Sequence, residues 1–160
     1  MLLTITTPEA MAALGALLAS QLRAGDLVTL NGELGAGKTT LTRGLGKALD
    51  VRGAVTSPTF VLARTHPRAD GAPLVHVDAY RLSSAIELDD LDIDFAASIV
   101  VVEWGEGLLD GITDEWLQFD IVRPVGGVVA DDGVEARTVT VTGHGARWAD
   151  LGWLSGSGSA

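Results

Sequence analysis

Two hydrophobic periods alternate along this chain. Short, largely apolar segments, DLVTL at 26–30, LVHVD at 74–78 and SIVVVE at 98–103, have the length and β-branched content of buried strands. A further run, FVL at 60–62, reads the same way. Elsewhere the spacing changes. Leu41, Leu45 and Leu49 recur every fourth residue, which predicts a helix over 39–49 with one apolar face. Thr7-Pro8-Glu9 opens an earlier helix, with threonine as cap and proline in the first turn. An Ala/Leu-rich segment continues it through Leu22, and Gly25 supplies the stop. Near the end, 116–122 and 136–142 read as a strand pair around a turn at Gly126-Gly127. Strands alternating with helices predict an α/β sandwich with a largely parallel sheet.

Composition narrows the class. A chain of 160 residues, 47% hydrophobic and 20% charged, fits one globular domain, taken as 1–150. Residues 151–160, ending in SGSGSA, read as a flexible tail. No apolar run approaches the ~18 residues that would cross a bilayer, and no basic segment precedes an apolar one at the N-terminus. The expected location is cytoplasmic, with no membrane partner. Cysteine is absent, so thiol nucleophiles and cysteine metal sites are excluded. The net charge of −10 opposes broad contact with a phosphate backbone, and no direct binding of tRNA by the chain alone is expected. Only two lysines occur, Lys38 and Lys47.

One of those lysines stands in GELGAGKTTLTRGL, at the first strand-to-helix junction. Gly32, Gly37, Lys38 and Thr39 satisfy G-x-x-x-x-G-K-T between a predicted strand and a predicted helix, the context a phosphate-binding loop requires. Glycines let successive backbone N–H groups turn toward phosphate oxygens, and the helix N-terminus adds its positive dipole end. Lys38 would reach the β- and γ-phosphates, and the Thr39 hydroxyl would bind magnesium. The plainer alternative, a glycine-rich turn without a ligand, does not account for the lysine and threonine at those positions.

Phosphate chemistry also needs a carboxylate near the metal and a group that orients the nucleophile. Asp78 and Glu103 each close a predicted strand, and ligands of open α/β sheets sit beyond the carboxyl ends of the strands. In a chain with 21 acidic residues, surface acids closing each strand are the bland alternative. Spacing alone does not say which acid binds metal and which positions water. Thr56-Ser57-Pro58-Thr59 could reach back over the γ-phosphate, although alone it reads as a proline turn. Trp104 could close the site or belong to the core. His76, between Val75 and Val77, reads as a packed or hydrogen-bonded strand residue rather than a metal ligand.

Four segments together, GELGAGKTTLTRGLGKAL, TSPTF, HVDAYRL and VVVEWGEGL, resemble the TsaE (YjeE) family. This is the small P-loop ATPase of bacterial tRNA threonylcarbamoyladenosine biosynthesis. The resemblance runs from about residue 6 to 109 and fades beyond; the glycine-rich 125–133 segment has no place in it. It implies a P-loop NTPase-like three-layer α/β sandwich with a largely parallel central sheet, here followed by a C-terminal strand pair. It implies ATP and Mg2+ as ligands, with Glu33, Leu34, Gly35, Ala36 and Gly37 as the cradle, Lys38 and Thr39 in their phosphate and magnesium roles, and Thr40 beside them. Thr59 corresponds to a switch-like loop near the γ-phosphate, and Asp78 to an acid needed for activity. Glu103 is then assigned to magnesium with Thr39, leaving Asp78 to orient water, and Trp104 matches a tryptophan at the site. Thr6 and Thr7 correspond to a part near the adenine. The implied partner is the TsaB–TsaD protein pair, in which TsaD carries the threonylcarbamoyl transfer.

Other classes fit less well. A regulatory GTPase would carry an N-K-x-D-type guanine reader, which is missing. A small-molecule phosphotransferase, the alternative, would place several arginines on a lid; after Arg81 only the scattered Arg123, Arg137 and Arg147 remain. A binding module without turnover requires that Asp78 and Glu103 face away from the loop.

Overall fold

The computed structural model describes residues 1–58, 62–109, 111–124 and 135–156. Its centre is β2, Leu27–Asn31, buried at every position. Parallel partners flank it on both sides: β5 (Ile99–Glu103) on one and β6 (Trp116–Val122) on the other. Beyond β5 lies β4 (Leu74–Asp78), also parallel, and then the antiparallel edge strand β3 (Ala63–His66). Beyond β6 lie antiparallel β7 (Arg137–His144) and β1 (Leu2–Ile5), completing the order β1-β7-β6-β2-β5-β4-β3.

Strand alternation divides the core in two. Val28, Leu30, Ile99, Val101, Leu117 and Phe119 join a cluster with the two long helices, α1 (Pro8–Ala19) and α2 (Lys38–Ala48). Leu27, Val75, Val77, Val100 and Val102 point the other way, toward Leu88 of the short α3 (Ala85–Asp89) and Leu108 and Leu109. The sheet therefore lies between two apolar layers, which is why its central strands read as continuous rather than alternating runs.

The expected elements hold with shifted ends. The first helix stops at Ala19, short of Leu22, because Ser20 already caps it. Thr7 is its N-cap, accepting from the Ala10 amide at 3.0 Å, and such a cap contributes about 1 kcal/mol. α1 and α2 cross with almost no side chain between them: a Cβ on Gly44 would lie 2.1 Å from the Ala12 carbonyl oxygen.

Two elements were not anticipated. β1 is four residues long and half exposed, too short for a period, and α3 is barely more than one turn. The expected 60–62 strand falls largely outside the described residues, as do Thr59 and the 125–133 segment; the edge strand next to it is Ala63–His66. Residues 151–156 depart from the expected tail. A 3-10 turn over Gly152–Gly156 buries Leu154 completely, because that leucine joins the α1 side of the core with Trp148. Among the described residues no helix is long and apolar enough to cross a membrane.

Candidate functional site

Three parallel strands end at the same edge of the sheet, and each delivers one part of the site. β2 runs through Asn31 into the glycine-rich loop, and α2 begins at Lys38. Gly37 caps that helix with φ 118°, a left-handed conformation that a side chain would strain. No side chain caps the helix there, so its first-turn amides are left for an external acceptor. Met11 of α1 packs behind Gly37 and backs the loop from the core.

Lys38 is buried and folds back across its own loop. Its ammonium donates to the carbonyl oxygens of Gly32 at 2.6 Å and Glu33 at 3.0 Å. It also lies 4.1 Å from the centre of the Trp104 ring, a cation–π contact. Burial pushes the lysine pKa below its ordinary value, while the charges of Glu103 and Asp78 partly oppose this. Removing water from an ammonium in this way strengthens its pull on any anion that enters.

Asp78 and Glu103 are register partners on β4 and β5, so their side chains leave the sheet side by side. Glu103 Oε1 receives the Thr39 hydroxyl at 3.4 Å and lies 2.8 Å from His76 Nε2. His76 and Glu103 are both buried, and the contact fixes the carboxylate from behind while Thr39 faces it from the loop. Asp78 Oδ1 accepts the Tyr80 amide at 3.0 Å. Trp104 follows Glu103 with φ 62°, held by its amide hydrogen bond to the Leu30 carbonyl at 3.0 Å. That left-handed turn brings the indole back over Lys38, where Tyr80 meets it edge-on at 5.4 Å.

These groups surround one cavity of about 650 Å³. Leu34, Gly35, Gly37, Lys38, Thr39, Thr40, Asp78, Glu103 and Trp104 line it, all expected from the sequence. Glu33 and Ala36 complete the loop without lining the cavity; Glu33 is exposed and Ala36 buried. Thr6 and Thr7 lie at the start of α1, outside the lining, with the Thr7 hydroxyl engaged as the cap. Tyr80 lines the cavity and was missed as a site residue, although it stands inside HVDAYRL; Ser57 lines it too, from the Thr56-Ser57-Pro58-Thr59 stretch expected to reach over the site, of which only Thr59 had been given a role. His76 was placed correctly as a hydrogen-bonded strand residue; its partner could not be read without strand register.

Oxygen donors suit Mg2+. The Thr39 hydroxyl and Glu103 carboxylate form a hard, oxygen-only pair, and Mg2+ is usually held by one or two protein groups plus phosphate oxygens and water. Among the described residues no three or more acidic, His or Cys groups cluster as a protein-only metal site.

A sheet parallel through its four central strands, a glycine-rich loop between strand and helix, and two acids at neighbouring strand ends define a P-loop NTPase-like α/β protein. Comparison with known proteins gives the narrower class. The model of the family described as threonylcarbamoyl adenosine biosynthesis protein TsaE matches residues 5–125, and the chain belongs to that family. It is 60% identical to the TsaE protein of Streptomyces coelicolor over 152 residues, 91% of this chain and all of that one. It is 35% identical to TsaE of Bacillus subtilis over 145 residues, 88% of this chain and 84% of the other. The crystal structure of B. subtilis YdiB superposes with a TM-score of 0.72 at 30% identity, covering 92% of this chain and 88% of that one.

Proposed function

We propose that this chain binds ATP with Mg2+ and hydrolyses it slowly, serving threonylcarbamoyladenosine modification of tRNA through a TsaB–TsaD protein pair. The observation that carries the reading is the convergence of Lys38, Thr39, Asp78 and Glu103 on one cavity. The names of the relatives place them in threonylcarbamoyladenosine biosynthesis, which supports the pathway for this chain.

Each residue has a part its geometry suits. Lys38 and the α2 amides neutralise and orient phosphate oxygens. Thr39 and Glu103 would hold the metal, with His76 keeping the carboxylate aimed at it. Bound Mg2+ would supply positive charge to the β- and γ-phosphates. Asp78 stands in register beside Glu103 and would orient the attacking water. Trp104 and Tyr80 form an aromatic wall that limits solvent at Lys38. A phosphotransferase reading finds less support, since no arginine lines the cavity among the described residues.

Calorimetric titration with ATP and Mg2+, paired with phosphate release, tests the reading. The parent should bind and slowly hydrolyse ATP without an added acceptor. Lys38→Ala should lose ATP binding, because no other cation lines the described cavity. Equal affinity in that variant would sink the phosphate-cradle assignment.

A further inference from the structure

We propose that the face formed by α2, the turn after it and edge strand β3 docks an acidic surface of a protein partner. The inference rests on the partner reading above and names the surface that carries it. The charge of the chain is segregated. Residues 38–68 hold six of the eleven lysines and arginines but one of the 21 acids, a net +5; the rest of the chain carries −15.

The fold gathers these cations on one side. Arg43 and Lys47 stand one turn apart on α2 and line a groove of about 360 Å³ with Asp50, Gly53 and Thr56. Arg52 lies in the following turn, where its amide donates to the Pro67 carbonyl at 2.8 Å and Val51 bridges to Arg68. Those contacts bring the turn beside β3, where Arg64 stands on the outermost strand. Arg43, Lys47, Arg52 and Arg64 are all exposed, and none is in an ion pair among the described residues. Arg68 differs: its guanidinium donates to the Leu49 and Ala72 carbonyls and ties the turn to the strand.

Four neighbouring exposed cations outnumber Asp50, the single acid among them, and repel one another; an incoming set of carboxylates relieves that repulsion. Arginine forks match carboxylates bidentately and suit this role. An RNA would fit less well. A long polyanion leaving this face would run over a remainder of charge −15, and the described residues of the face hold no exposed aromatic ring for a base to stack on, His66 being buried. The face also reaches the nucleotide. Thr56 lines the groove and the next residue, Ser57, lines the cavity of the loop, so a docked partner would bear on a residue at the site's wall.

The test uses the full chain and an isolated TsaB–TsaD complex, with affinity measured across a salt series. Lys47→Glu/Arg52→Glu/Arg64→Glu alters side chains that make no hydrogen bond among the described residues. Arg43→Gln/Lys47→Gln is a milder second variant. Parent affinity should fall as salt rises. The triple variant should bind about ten-fold more weakly or worse at low salt, with ATP affinity and basal hydrolysis unchanged. Parent binding that neither variant weakens would overturn the docking face alone. A parent that does not bind the pair would overturn the partner reading and this face with it. Binding of bare tRNA by the parent, lost in the triple variant, would assign the face to RNA and overturn the inference.

Discussion

Asp78 and Glu103 are chemically similar and adjacent in register, yet their surroundings separate them. Glu103 is gripped from two sides, by His76 at 2.8 Å and Thr39 at 3.4 Å. Asp78 is held at one oxygen by a backbone amide and lines the cavity. Glu103→Ala should therefore remove the gain in ATP affinity that Mg2+ gives. Asp78→Ala should retain ATP binding but lose on the order of 10²-fold or more in hydrolysis, the usual scale for a positioned acid–base group. Calorimetry with and without Mg2+, alongside phosphate release, separates the two; parent-like hydrolysis in both variants would show that neither acid takes part in the reaction. The sequence carried both residues because each closes an apolar run. It could not divide their roles, since the division comes from His76, which reaches Glu103 only across a strand boundary.

At the scale of elements, the legible parts are those whose periodicity is uninterrupted. β2, β4 and β5 are buried on both faces and announce themselves as apolar runs; α2 is marked by its leucine spacing. β1 was invisible because its alternation of exposed Leu2 and Thr4 with buried Leu3 and Ile5 lasts only four residues and puts a leucine on the exposed face; its place is set by pairing with distant β7. The α1–α2 contact was also hidden. Glycines 15 and 44 look like weak points in helices, whereas each lets one backbone approach the other. Alanine in a helix interior gains up to ~1 kcal/mol over glycine. At Gly44 that gain is outweighed, because the new methyl would stand 2.1 Å from the Ala12 carbonyl oxygen and neither backbone can yield. Gly44→Ala should destabilise the fold by about 1–3 kcal/mol, an overpacking cost read by denaturant unfolding. A stability gain would mean that the two helices separate more easily than their packing implies.

For the whole molecule, the question is what the chain supplies by itself and what must come from outside. Lys38 is the one cation lining the cavity among the described residues, and its ammonium is already shared between two loop carbonyls and the Trp104 face. That arrangement suits binding a triphosphate. It leaves the charge that develops on the transferred phosphoryl group without an arginine, and a missing arginine costs on the order of 10³–10⁵ in rate. The chain alone should accordingly turn over slowly, and a TsaB–TsaD pair should raise hydrolysis by supplying a charge or ordering the Thr56-Ser57 segment over the cavity. Bare tRNA should do little, because the net charge of −10 opposes its approach. Steady-state phosphate release measured with the chain alone, with tRNA and with the protein pair decides the matter. Full activity without any partner, or strong stimulation by tRNA alone, would show that this chain completes its own catalytic charge by a route other than the one its cavity presents.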